Sequence, residues 1–305
     1  MKSARIIGMV ATLVLLSVGL GAQEKRLKMR VAVAPLDWAE HYSIDNWQMP
    51  LEFRNAIYEK LVKKLLDTGR FVVLEREAME ALLQEKAIKE ENTGESQKGK
   101  MVPAQALVKG KVIDFTVNQR GAGGGVSVPG LGHVGGSVSE ARVGINVRIF
   151  DVDTSELLAS ENAPGRADAA GFNFSGWVGN LGTDFAAYDR SPLGKATTTA
   201  IDKAVEAIVK KLGGRPWQAR VADWDEESKE VTINAGEEVG VKAGDAFDVF
   251  RVTKVIKDPE TGQVLGVKTT KVGWIKVTDV QAKFATAISG DGTGFQSGDI
   301  VREKK

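Results

Sequence analysis

Hydrophobic positions in the first two thirds of the chain recur at spacings that predict alternating strands and helices. Residues 29–36 form a short apolar run with a proline near its end, which is typical of a buried strand. Residues 51–67 have the pattern of an amphipathic helix that buries one stripe of its surface. Apolar side chains recur there every fourth residue, at Phe53, Ile57, Leu61 and Leu65.

The elements that follow predict helices packed on a sheet. Polar and apolar residues alternate from Arg142 to Phe150, so this strand presents one apolar face. The other predicted elements are strands at 71–74 and 106–114 and helices at 77–86 and 196–211. The fold class predicted for this part of the chain is therefore α/β (α+β).

Two long insertions interrupt this layer, and loops of such length are usually functional or disordered. Residues 117–140 are rich in Gly, Ser and Val, so their residues alone predict a flexible loop. Residues 164–192 alternate Phe172, Phe174 and Val178 with small or polar residues, as a strand of a membrane barrel does.

The pattern changes to short strands and turns after a boundary at residues 213–216, which we interpret as a linker. Residues 240–247 and 294–301 repeat one signature, in which Gly-Asp precedes strand residues. Glycine supplies the positive φ that such turns need, so we interpret the repeat as a folding device. Residues 217–305 are predicted to form a small all-β barrel, whose strands include 263–268 and 271–280.

The order of elements in the first domain resembles the CsgG family of curli production and assembly components. The segments that carry the resemblance are residues 70–76, 78–85, 106–113, 121–125 and 143–150. The C-terminal module resembles, more weakly, the C-terminal domain of the flagellar assembly protein T family, which implies a protein-contact module in the periplasm.

The resemblance implies a ring of identical subunits in which each subunit inserts two β-hairpins into the outer membrane. A sheet spans lipid only as a closed barrel, because every edge must be paired. The membrane hairpin residues implied are Phe172, Phe174, Trp177 and Val178. The alternative is a soluble periplasmic scaffold that keeps the fold and forms no pore.

The loop between the first strand and the first helix is a second implied site. In channels of the family, a loop at this point forms the pore constriction, and Tyr42, Asn46 and Trp47 match its pattern. Trp47 stands where phenylalanine is usual, which would narrow the aperture. Aromatic and amide side chains suit an unfolded polypeptide, because they contact it without fixed charge. The residues also allow a local account, with Trp47 packed nearby and Asn46 helping to start the helix before Pro50.

The first residues predict export. Lys2 and Arg5 precede an uncharged apolar run, and Gly21 and Ala22 offer a cleavage site, so residues 1–22 are interpreted as a signal peptide and residues 23–212 as the first mature domain. We expect an outer-membrane or periplasmic location. The chain has no cysteine, so it is not expected to be a cysteine-anchored lipoprotein.

The net charge gives no reason to expect a nucleic-acid partner, and the motifs give no reason to expect an enzyme. Removal of residues 1–22 changes the net charge from +1 to −1, which gives no electrostatic reason to bind nucleic acid. His41 and His133 stand in no metal-ligand spacing, and no phosphate loop or nucleophile elbow is present. We expect no cofactor, no metal and no catalysis. The expected partners are further copies of the chain and either an unfolded secreted polypeptide or envelope assembly proteins.

Overall fold

The computed structural model describes residues 27–38, 43–44, 47–75, 103–121, 126–128, 132–134, 137–170, 184–262 and 264–304. The predicted signal peptide at residues 1–22 and the predicted helix at 77–86 lie outside these ranges. The helices are α1 (Leu51–Asp67), α2 (Phe185–Arg190), α3 (Pro192–Gly213) and a 3₁₀ turn (Glu237–Val239). The strands are β1 (Met29–Val33), β2 (Asp37–Trp38), β3 (Ser43–Ile44), β4 (Trp47–Gln48), β5 (Phe71–Glu75), β6 (Ala106–Gly121), β7 (Val126–Val128), β8 (Gly132–Val134), β9 (Ser137–Asp151), β10 (Leu157–Ala170), β11 (Gln218–Asp225), β12 (Glu230–Ile233), β13 (Ala246–Lys257), β14 (Val264–Val280), β15 (Ala285–Asp291) and β16 (Ile300–Glu303).

The first domain is a mixed sheet in the order β10-β9-β6-β1-β5, with β2 paired to β6. Strand β1 is parallel to both neighbours, and β6, β9 and β10 are antiparallel. All five residues of β1 are buried, as expected of a central parallel strand that reads as a continuous apolar run. The mixed α/β prediction is confirmed at this level.

Helices α1 and α3 supply the layer that covers this sheet. The predicted helix at 51–67 is confirmed with the same bounds, and its stripe from Phe53 to Leu65 is buried. Helix α3 is longer than the predicted 196–211. It begins at Pro192, and the Ser191 hydroxyl caps it by accepting a hydrogen bond from the Gly194 amide at 3.1 Å.

Three strand predictions need correction. Strand β10 was not predicted, and residues 164–170 of the expected loop belong to it. Strands β6 and β9 run to Gly121 and Ser137, well into the segment predicted as a flexible loop. In the C-terminal module, the two strands expected at 263–268 and 271–280 are one continuous strand, β14.

Strands β11 to β16 close into a barrel in the order β11-β12-β15-β14-β13-β16. Its interior is filled by buried side chains that include Val231, Ile233, Phe247, Val249 and Ile275. Buried residues alternate with more exposed ones in β11, β12 and β15, as expected of a small closed barrel.

The barrel is joined to the first domain through the end where β11 begins and β12 ends. The Arg30 guanidinium donates a hydrogen bond to the Asn234 carbonyl at 2.9 Å, and the Trp217 indole donates to the Lys28 carbonyl at 3.2 Å. The Lys28 amide donates to the Val239 carbonyl at 2.8 Å. These bonds come from different segments, so they fix the orientation of the barrel and not only its distance.

Candidate functional site

The loop from β1 to α1 carries the residues predicted to form a pore constriction. Within it, β3 and β4 pair antiparallel, with Ile44 opposite Trp47 and Ser43 opposite Gln48. Two residues separate the paired strands, which is the connection length of a tight hairpin. The structure therefore places Trp47 on a hairpin strand, while Tyr42 and Asn46 lie outside the described residues.

The base of this loop is attached to the sheet and to α1. Strand β2 pairs with β6, and the Trp38 ring meets the Phe115 ring edge-on, with centroids 6.1 Å apart. The Arg54 guanidinium of α1 lies 5.4 Å from the centroid of the Trp38 ring, in a cation–π contact. Both ends of the loop are thus held by buried or half-buried aromatic contacts.

An aromatic cluster links the same helix end to the second insertion. Phe53, in the first turn of α1, lies 5.5 Å from the Phe185 ring and 5.4 Å from the Tyr188 ring, measured between centroids. Phe185 and Tyr188 belong to α2, which follows directly after residues 171–183. Burial raises the pKa of the Tyr188 phenol, whose hydroxyl is hydrogen bonded to Thr197 at 2.7 Å.

Strands β6, β9 and β10 extend together beyond the part of the sheet that α3 covers. At Gly165, β10 lies directly on α3, and the Lys203 ammonium donates a hydrogen bond to the Pro164 carbonyl at 2.7 Å. The register with β9 continues past this point to Ala170 opposite Val138. On the other side of β9, β6 stays paired to Gly121 opposite Ser137.

Where β9 and β10 leave the core, one face of the two strands packs on the core and the other face is charged. Ala141 and Ala167 are cross-strand partners, and they alternate with charged residues at 140, 142, 166 and 168. The Arg142 guanidinium donates to the Glu140 carboxylate at 2.7 and 3.0 Å. An apolar band that faces lipid must therefore begin farther along the strands than Glu140 and Arg142.

The four predicted hairpin residues, Phe172, Phe174, Trp177 and Val178, lie outside the described residues. They stand between β10, which ends at Ala170, and α2, which begins at Phe185. Their assignment stays a prediction. The described residues contain no helix long and apolar enough to cross a membrane. They also contain no group of His, Cys, Asp or Glu that could hold a metal ion.

The sequence reasoning missed one feature of this region, strand β10. Strand β10 escaped notice because Asn162, Pro164 and Gly165 disfavour strands in general. Proline is tolerated here because β10 is an edge strand, where no further strand of the described sheet needs its missing amide. Strand β10 could have been predicted as the antiparallel partner of the long alternating strand β9 that precedes it, although many of its own residues are polar.

Two family models match the chain. The model of CsgG, the curli production assembly/transport component, matches residues 20–239. The model of the C-terminal domain of flagellar assembly protein T matches residues 228–303. No curated protein matches the sequence at a significant level.

Several solved structures are similar to part of this chain at low identity. The protein CT253 from Chlamydia trachomatis is 15% identical, with 62% of this chain and 99% of that chain covered and a TM-score of 0.40. The PelC dodecamer from Paraburkholderia phytofirmans is 15% identical, with 62% and 91% covered and a TM-score of 0.30. Lipoprotein GNA1162 from Neisseria meningitidis is 12% identical, with 61% and 99% covered and a TM-score of 0.28.

Proposed function

Because the chain belongs to the CsgG family of curli production assembly/transport components, we propose that it forms a ring that serves protein secretion or surface-fibre assembly at the outer membrane. Identical subunits associate head to tail, and such contacts close into a ring when the rotation between subunits permits. The ring acts as a passive channel for an unfolded polypeptide. Neither a cofactor nor a catalytic group has a part in this mechanism.

The observation that supports this proposal most strongly is the strand extension. Strand β6 has 16 residues and β9 has 15, whereas strands in globular proteins are usually five or six residues long. At about 3.3 Å per residue, β6 alone is about 50 Å long. Strands that extend beyond the rest of their sheet have unpaired backbone amides and carbonyls at their edges. Neighbouring subunits in a ring can hydrogen bond to those edges.

In this proposal, the segments at the far end of the extension enter the membrane. Residues 117–140 form the first hairpin, and the second lies within residues 164–192, with Phe172, Phe174, Trp177 and Val178 facing lipid or its interface. The aromatic contacts of Phe53 with α2 support this arrangement, because they hold the return segment of the second hairpin against α1.

The loop that contains Tyr42, Asn46 and Trp47 narrows the channel. Its hairpin of β3 and β4 places Trp47 beside a two-residue tip, and its base is attached through Trp38. A ring of subunits repeats these side chains around the pore, so the cargo meets aromatic and amide groups without fixed charge.

A soluble periplasmic scaffold is the second candidate function. The charged face at residues 140, 142, 166 and 168 favours it, because such residues at the root of a hairpin suit water better than lipid. The match to the flagellar assembly protein T domain also favours it. In this case the ring or the monomer binds another envelope complex through the barrel.

Membrane fractionation separates the two candidates. We expect the full-length protein to remain with outer membranes through salt and carbonate washing. Phe172→Arg together with Phe174→Arg should release it, because a cationic side chain facing lipid costs about 2–4 kcal/mol near the bilayer midplane. The control is Leu157→Arg, since Leu157 is exposed at the other end of β10 and should tolerate the charge. Release of the unmodified protein by carbonate would support the scaffold instead.

A further inference from the structure

Strands β13 and β14 continue past the barrel as a two-stranded ribbon. We call residues 251–257 and 264–271 the arm. Strand β16 pairs with β13 only as far as Phe250, and β15 pairs with β14 only from Trp274 onward. Within the arm, the strands pair with each other up to Lys257 opposite Val264, and with no other strand among the residues that the structure describes.

The surface of the arm is both apolar and basic. Its exposed large apolar side chains are Val255 (46% exposed), Ile256 (36%), Leu265 (53%) and Val267 (43%). Lys254 lies opposite Lys268, next to the pair of Val255 and Val267. Residues 251–271 contain five basic residues and two acidic ones. Arg251 and Lys271 pair with Asp299 and Asp248 at the base of the arm, so the basic character of its outer part comes from Lys254, Lys257 and Lys268. A two-stranded ribbon with such side chains in water is marginally stable by itself, so contact with a partner would stabilise it.

The hairpin of β11 and β12 has the opposite character. Residues 223–230, which we call the acidic turn, contain five acidic residues and one lysine. Asp225 lies opposite Glu230, and Glu230 lies opposite Ile288, which is 47% exposed. Hydrogen bonds from the Ser228 hydroxyl and the Glu227 amide hold the pKa of Asp225 below its usual range, which favours its charged form. The result is an acidic surface with an apolar residue beside it.

The barrel topology places the arm and the acidic turn on opposite sides. In the closed order β11-β12-β15-β14-β13-β16, one strand separates the two hairpins in each direction. Strands β11 and β13 are both antiparallel to β16, so they run the same way and their hairpin tips emerge at the same end. The first domain contacts the other end, through Asn234 and Trp217. Both tips therefore point away from the first domain.

We propose that the arm of one subunit packs on the acidic turn of the next copy of this chain, so that the barrels form a second tier of contacts in the ring. This inference rests on the proposed ring of identical subunits. Opposite charges on opposite sides of one module suit a head-to-tail contact, and they disfavour arm-to-arm pairing through the repulsion of like charges. In this contact, the apolar residues of the arm pack against Ile288 of the next copy.

Cysteine cross-linking tests this contact in the full-length chain. The chain has no cysteine, so introduced thiols are unique. We expect Lys257→Cys combined with Glu227→Cys to give a ladder of dimers, trimers and larger species on oxidation. Each single variant is the control, because one thiol per subunit cannot link a head-to-tail series.

Charge reversal tests the specificity of the contact in the same cysteine background. Lys254→Glu with Lys268→Glu should lower the cross-linked fraction at least about tenfold, because like charges then face each other. Glu226→Lys with Glu230→Lys should have the same effect. All four substitutions together restore opposite charges and should restore the ladder. Thermal unfolding of each variant shows whether the barrel is intact.

Negative-stain images of the same samples separate this proposal from the ring itself. Rings without a ladder, or a ladder that the combined variant fails to restore, would overturn the barrel contact and leave the ring standing. Monomers alone would overturn both. Release of the chain from phosphatidylglycerol vesicles by the arm substitutions, with no effect on cross-linking, would show that the arm faces a lipid surface and that the proposed contact is wrong.

Discussion

At the scale of single residues, glycine and one buried carboxylate fix how the elements of the first domain meet. Gly165 lets β10 lie directly on α3, since a Cβ there would stand 1.9 Å from the Ala196 carbonyl oxygen. Asp151 closes the end of β9, where its carboxylate accepts hydrogen bonds from the Asp153 and Thr154 amides and pairs with Arg215. Each position allows a quantitative test.

Gly165→Ala should lower the free energy of unfolding by about 1–3 kcal/mol or more, because the new methyl group overlaps backbone atoms of a buried helix. Gly214→Ala is the matched control. Gly214 has nothing within 4 Å of its Cβ position and ordinary φ, so alanine should be neutral there. Urea unfolding of both variants measures the difference, and equal stabilities would contradict the close approach of β10 to α3.

The stability of the first domain should depend on Asp151 in acid. Partial burial alone would raise the pKa of Asp151, but the Thr154 amide and the Arg215 guanidinium outweigh it and hold the pKa below its usual range. A lowered folded-state pKa gives stability that is present above the unfolded value of about 3.9 and lost as pH falls through the folded value. Urea unfolding from pH 7 to pH 2 should show this loss. In Asp151→Asn the loss should be smaller, and an unchanged pH profile would contradict the role of the carboxylate.

At the scale of elements, the hydrophobic periodicity predicted the helices and strands that have one face on the core. Helix α1 was found with its bounds because Phe53, Ile57, Leu61 and Leu65 all face one core, and β9 because its apolar face alternates strictly. Strand β10 could not be found in this way. Its conformation depends on pairing with β9 and on contact with α3, which are distant in sequence. The arm was missed for the same reason, since its strands look like ordinary barrel strands until their neighbours are known.

The predicted site was less accessible to sequence reasoning than the fold. Trp47 was singled out by resemblance, and its pattern alone did not predict that Ile44 would pair with it in a hairpin. The hairpin residues from Phe172 to Val178 stay predictions, because a strand in lipid is recognised by the closed ring that pairs it and a single chain does not contain that ring.

The repeated turn of the C-terminal module was interpreted as a folding device, and its geometry agrees. Asp245 accepts a hydrogen bond from the Lys242 amide at 2.8 Å, and Asp299 accepts one from the Gln296 amide at 2.9 Å. Gly244 and Gly298, which precede them, have φ of +91° and +94°. Asp299 is fully buried and pairs with Arg251 at 2.8 Å, whereas Asp245 is only half-buried.

Asp299→Asn should therefore destabilise the barrel more than Asp245→Asn, although both change the same turn position. Loss of the buried charge leaves Arg251 without its counter-ion, which costs up to about 3 kcal/mol, whereas the more exposed Asp245 should cost about 1 kcal/mol or less. Urea unfolding followed by tryptophan fluorescence compares the two variants. Equal losses would mean that the ion pair adds nothing to the turn.

At the scale of the whole molecule, the proposed ring assigns a different part of the assembly to each module. In that proposal, the strand extension of the first domain supplies edges that further subunits pair. The barrel is fixed to that domain by the hydrogen bonds of Arg30 and Trp217. A barrel held in one orientation presents its arm in the same direction on every subunit. Rigid attachment of this kind suits a closed ring, in which each contact must repeat.

In the proposed channel, the loop that contains Tyr42, Asn46 and Trp47 limits the single-channel conductance. Replacement of Tyr42 and Trp47 by alanine should raise the single-channel conductance in planar bilayers, because the aperture loses its largest side chains. Trp38→Phe is the matched control, since Trp38 packs against Phe115 at the base of the loop, away from the tip. Unchanged conductance in the Tyr42 and Trp47 variant would contradict the constriction and leave the fold unaffected.

The most direct test of the account is negative-stain imaging of the full-length protein extracted from membranes in mild detergent. The account predicts rings of one size with a central opening and a band that detergent surrounds. Monomers recovered only from the soluble periplasmic fraction would contradict the channel and leave the scaffold as the function to pursue.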